Sequence, residues 1–138
     1  MQHILNFTIV CTIYLFTIFW RCFMKIETIN IKENYPPSDV AVANMELAIE
    51  AYSKTETKVL KIIHGYGSHG VGGEIKRLAQ ISLAMLKKQN KILNFIPGER
   101  FGEEYKHSEF IIENFPELIL DADLKNYNSG LTLVFLKE

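Results

Sequence analysis

Lys61-Ile62-Ile63-His64-Gly65-Tyr66-Gly67-Ser68-His69-Gly70-Val71-Gly72-Gly73-Glu74 is the stretch on which the fold turns. An apolar run ends at His64, and five of the eight glycines of the 138-residue sequence fall within residues 65–73. From Ile75 onward the apolar residues recur with a helical period. A strand, a glycine-rich turn and a helix N-terminus are therefore expected in that order. Glycine lets the backbone take φ > 0 and lets a ligand approach the main chain. Free N–H groups at a helix start favour an anion. The stretch reads as a phosphate-contacting loop carrying two imidazoles, His64 and His69.

Working outward, Thr57 to His64 (TKVLKIIH) is β-branched and apolar enough for a central strand. Upstream, Lys25 to Ile31 alternates apolar and polar residues, the pattern of a first strand. Asn34-Tyr35-Pro36-Pro37-Ser38-Asp39 is a turn that leads into a helix reaching about Ser53, with Ser38 as the N-cap. Its expected buried side holds Val42, Met45, Leu47, Ile49 and Tyr52. Downstream, Gly73 to about Gln89 carries the stripe Ile75, Leu78, Ala79, Ser82, Leu83 and Leu86, typical of a helix packed on a sheet. Lys91 to Ile96 is a third strand, ended by Pro97-Gly98 and a loop from Glu99 to Gly102. Tyr105 to Asn114 is a short helix. A polar stretch with Asp121, Asp123 and Asn126 follows, then an Asn128-Ser129-Gly130 turn and a last strand, Leu131 to Leu136. The order β-α-β-α-β-(α)-β, with two crossovers of helical length, predicts parallel neighbouring strands joined right-handedly. The expected fold class is α/β, a small two-layer sandwich.

The length suits one domain, and the composition is that of an ordinary globular protein. The two cysteines, Cys11 and Cys22, lie in or beside the first apolar run, which excludes a disulfide framework and a thiolate metal site elsewhere. A net charge of -1 makes no global case for a nucleic-acid partner. Its distribution does: residues 54–100 hold nine basic side chains against three acidic ones, and residues 101–138 hold three against eight. The glycine turn thus sits in a local positive excess that suits a polyanion. Ile4 to Trp20 is uncharged and apolar, at the short edge of a membrane span. Residues 1–23 are read either as a translation-start extension ahead of Met24 or as a membrane anchor. Residues 24–138 form the domain, cytoplasmic in the first case and facing the cytoplasm in the second.

The glycine turn matches neither common nucleotide motif. Gly72 is followed by Gly73-Glu74 where a Walker A loop needs lysine. Gly65-Tyr66-Gly67-Ser68-His69-Gly70 reads G-x-G-x-x-G, but on the second strand and with no acid at Met85 to Lys88. Two histidines without a third ligand make a poor zinc site, so no metal ligand or cofactor is assigned, a divalent ion apart. Imidazole titrates near neutral pH, so His64 and His69 are candidates for acid-base work on a phosphodiester. Lys76 and Arg77, in the first turns of the helix, sit against the dipole and are candidate phosphate contacts.

Leu60 to Arg77 (LKIIHGYGSHGVGGEIKR), taken with Asn128 to Leu136 (NSGLTLVFL), resembles the Smr (small MutS-related) domain. The family's His-Gly-x-Gly motif stands as His64-Gly65-Tyr66-Gly67, and its closing glycine-led strand as Gly130 to Leu136. The resemblance implies a compact sandwich similar to the C-terminal domain of bacterial translation initiation factor three. It implies binding of structured DNA or RNA, endonuclease (hydrolase) activity in some members, and association with ribosomes or repair proteins in others. The family's first motif, Leu-Asp-x-His-Gly, falls on Ile29-Asn30-Ile31-Lys32-Glu33, where neither acid nor imidazole remains. Binding is the function expected, through Lys32, Gly65, Gly67, Gly70, Gly72, Gly73, Lys76, Arg77 and Arg100. The alternatives are a phosphodiesterase using His64 and His69, and a non-catalytic protein-interaction module.

Overall fold

The computed structural model describes residues 24–67, 73–102 and 106–137. Along these the chain forms β1 (Lys25–Asn30), α1 (Ser38–Ser53), β2 (Thr57–Ile63), α2 (Glu74–Lys88), β3 (Ile92–Pro97), α3 (Lys106–Asn114) and β4 (Leu131–Leu136). Short 3-10 turns at Gly98–Arg100 and Pro116–Leu120 flank α3. The molecule is a small mixed α/β domain with a four-stranded sheet and three helices among the described residues. The apolar segment Ile4 to Trp20 lies outside the described residues, and within them no helix is long and apolar enough to cross a membrane.

Strand order is β1-β2-β4-β3. β1 and β2 are parallel neighbours, with Thr28 opposite Lys61 and Asn30 opposite Ile63, as a crossover through α1 requires. The second expected pairing is corrected. β3 is not the neighbour of β2, because β4 inserts between them and runs antiparallel to both. The physical reason lies in the composition of β4, whose six residues are all buried. A strand apolar on both faces belongs at the centre of a sheet covered on both sides.

Both sides are covered here, so the sandwich has more than the two layers expected. Leu60, Ile62, Val134 and Leu136 face α1 and α2, where they pack with Met45, Ile49, Ala79 and Leu83. Val59, Leu131, Leu133 and Phe135 point the opposite way, onto Ile111 of α3 and onto Phe115 and Leu118. Phe110 meets the Phe135 ring edge-on at 5.1 Å, and Phe115 lies 4.8 Å from it. Ile111 of α3, with Phe101, Phe115 and Leu118, thus closes this second face over Val59 of β2, Ile96 of β3 and the odd-numbered residues of β4. The groove described below is lined further along the strands, by Thr28 of β1 and by Lys61 and Ile63 of β2.

Two local expectations also change. Ser38 is the first helical residue rather than the cap; Pro37 holds the cap position without a side-chain bond, and its carbonyl accepts from Ala41 N at 3.0 Å. Leu47 is exposed, because it lies two residues and about 200° around the helix from buried Met45.

Candidate nucleic-acid interface

The glycine turn starts where β2 runs out. His64 N and Gly65 N both donate to Gly130 O, at 3.0 and 2.9 Å, which ties the turn to the entrance of β4. Gly65 and Gly67 take φ of +78° and +75°, a region that favours glycine. Gly73 precedes α2 and packs so closely on Gly67 that a Cβ there would lie 3.2 Å from the Gly67 α-carbon. Strand, glycine turn and helix start thus follow in the expected order. Ser68 to Gly72, and with them the site candidates His69, Gly70 and Gly72, lie outside the described residues.

His64 is buried. Its Nδ1 lies 3.1 Å from Gly65 O, and its Nε2 lies 2.9 Å from Thr132 Oγ1. A carbonyl only accepts, so Nδ1 carries the hydrogen, and in the neutral ring Nε2 accepts from the Thr132 hydroxyl. Burial holds the imidazole below its usual range. The bond to Gly65 opposes that shift, Lys76 reinforces it, and Glu99 opposes it. The ring is therefore neutral at pH 7, with both nitrogens engaged inside the protein.

The first-motif segment lies beside this turn. Ile31 N donates to Ile63 O at 3.0 Å, and the Lys32 stem crosses Gly65 so closely that a Cβ there would meet Lys32 Cδ at 2.8 Å. Lys32 and Gly65 line one groove of about 300 Å³, together with Thr28, Lys61, Tyr66, Asp123, Asn128 and Gly130. Tyr66 is half exposed. Its hydroxyl donates to Asn128 Oδ1 at 2.8 Å, and its ring lies against the Gly130 α-carbon.

The other expected cations sit differently. Lys76 donates to Glu99 Oε1 at 2.7 Å with its side chain only 12% exposed, so it is neutralised next to His64 rather than offered to the groove. Arg77 is exposed and paired with Glu74 at 2.6 Å, which holds the Glu74 carboxyl below its ordinary range. Arg100 is exposed on the turn after β3 and does not line the groove. Lys61 Nζ is clamped between Asp121 Oδ1 at 2.7 Å and Asp123 Oδ2 at 2.6 Å. Burial works against that ammonium, but the two carboxylates outweigh it and raise its pKa above the usual lysine value. Asp121 and Asp123 are thus turned to a lysine, and among the described residues no group of three His, Cys, Asp or Glu could hold a metal.

Tyr66, Asn128 and the Lys61 clamp were not among the expected site residues. Tyr66 could have been found as the one aromatic between two glycines of the turn. The clamp joins positions 60 and 62 residues apart, and nothing local announces it.

A larger hollow of about 680 Å³ runs between Glu46, Glu50, Leu86 and Lys91. It lies at the end of α2 away from the glycine turn and is not part of this site.

Fold and site define a small mixed α/β domain with a glycine turn and, beside it, a groove lined by Thr28, Lys32, Lys61 and Tyr66. No protein-family model, curated protein or solved structure matches the chain.

Proposed function

We propose that residues 24–138 form a Smr-type domain that binds nucleic acid through its phosphate backbone, largely without regard to sequence. On this reading the sandwich is of the kind found in the C-terminal domain of bacterial translation initiation factor three, and the domain works in the cytoplasm. The observation that carries the reading is Lys32 stretched over Gly65. Where the family has the histidine of its first motif, this chain has an ammonium beside the His-Gly-x-Gly turn. The two segments that carry the resemblance also meet, through Gly130 O and through the His64–Thr132 hydrogen bond.

Binding rather than cleavage is the activity assigned. The acid and imidazole of the first motif are replaced by Asn30 and Lys32, and neither His64 nitrogen is left for a substrate. Lys61, Lys76 and Arg77 already have carboxylate partners, so few phosphates are neutralised. With two or three contacts on a single strand, affinity falls about ten-fold between roughly 50 and 200 mM salt. Fluorescence anisotropy with labelled oligonucleotides measures this, and Lys32→Glu is expected to weaken binding throughout. Salt-independent binding, or none to DNA or RNA of any form, would sink the proposal. Cleavage by the parent that disappears in His64→Ala or His69→Ala would move the assignment to a phosphodiesterase.

A further inference from the structure

Among the described residues the strongly exposed aromatic rings are Tyr35, Tyr66 and Tyr127, at 96%, 52% and 65% exposure. They come from three separate segments, after β1, after β2 and before β4, and each is tied to a groove residue. Tyr35 N donates to Lys32 O at 3.0 Å, closing the turn that Lys32 opens. Tyr66 lines the groove itself. Tyr127 directly precedes Asn128, which holds the Tyr66 hydroxyl. Tyr35 and Tyr127 both take φ of +51°, a region that bulky side chains rarely adopt. By contrast the phenylalanines of the second face, Phe101, Phe115 and Phe135, are buried.

We infer that the preferred ligand is a single strand, whose unstacked bases lie on Tyr66 and on the rim rings Tyr35 and Tyr127 while Lys32 takes a neighbouring phosphate. This inference rests on the nucleic-acid reading above and deepens it. Two independent features carry it. A duplex hides its base faces in its own stack and leaves exposed rings nothing to cover, whereas every unpaired base presents a π-face. Duplex binding also draws on many phosphate contacts, and here two of the expected cations, Lys76 and Arg77, and the groove-lining Lys61 are already paired with carboxylates. Stacking supplies affinity where charge is scarce. Tyr66 suits the task because its hydroxyl bond to Asn128 and its seat on Gly130 fix the ring before any ligand arrives.

The experiment compares the full chain on an unstructured thymidine or uridine oligonucleotide, an abasic strand of equal length and charge, and a blunt duplex. The expected result is tighter binding to the base-bearing strand than to the other two, by about ten-fold or more. Tyr66→Ala, Tyr35→Ala and Tyr127→Ala should each weaken that binding, with Tyr66→Ala costing about ten-fold, and leave the abasic strand unaffected. Tyr66→Phe keeps the ring and should retain most of the affinity. Equal affinity for base-bearing and abasic strands, or a preference for duplex, overturns the single-strand inference and leaves the backbone-binding reading standing. No binding to any of the three overturns both. The deoxy and ribo arms separate DNA from RNA.

Discussion

His64 is held between the Gly65 carbonyl and the Thr132 hydroxyl in a buried position that favours the neutral ring. Its folded pKa lies below the ordinary 6.5, so on acidification the unfolded chain takes up the proton first. The stabilisation is whole above about pH 6.5 and is lost as pH falls through the depressed folded value. Urea midpoints measured from about pH 8 down to about pH 5 should decline in the parent and decline less in His64→Gln. Thr132→Val keeps the side-chain shape but leaves Nε2 without its donor, at a cost of about 1–3 kcal/mol in the same measurement. Lys61→Met leaves two largely buried carboxylates facing each other and should cost about 3–5 kcal/mol. Adding Asp121→Asn and Asp123→Asn should recover part of that loss, and full additivity of the three effects would refute the clamp.

Each element stops where a particular backbone requirement begins. β2 ends at Ile63, just before Gly65 and Gly67 take positive φ, and α2 begins after Gly73, its extended N-cap residue. This much was legible in the glycine spacing. The end of β3 was legible only as a break at Pro97-Gly98. What the break does is tertiary: a Cβ on Gly98 would lie 2.1 Å from Asn128 O and 2.9 Å from Leu131 Cδ1. Gly98 lets the 3-10 turn close onto the loop that leads into β4, and so sets where Asn128 can hold Tyr66. Gly98→Ala should therefore cost about 1–3 kcal/mol or more by thermal or urea denaturation, since backbone rather than a flexible side chain must yield. A stability equal to the parent would show that this junction is looser than its geometry.

β4 couples the whole molecule. Its side chains alternate between the face under α1 and α2 and the face under α3, so neither core exists without the other. Leu133→Ala and Val134→Ala, on opposite faces, should each lower stability by about 2–5 kcal/mol. Both variants should unfold in one transition, with far-ultraviolet and near-ultraviolet circular dichroism superimposed. Two separable transitions would mean that the cores fold independently.

The element order, the glycine turn and the α2 stripe followed from local sequence, because period, glycine conformation and turn chemistry act over a few residues. Leu131 to Leu136 was also legible as a strand, although nothing in it named its neighbours or its place inside the sheet. Strand order, the third layer and the charge map around the glycine turn were decided only by tertiary structure. They depend on pairings across tens of residues, such as Lys61 with Asp121 and Asp123, and Lys76 with Glu99. A count of basic residues along the chain cannot reveal which charges the fold has already neutralised. Lys32 shows the opposite case: the sequence already offered it as a phosphate contact in place of a lost histidine, and the fold lays its stem across Gly65, 33 positions further on, which no local pattern announces.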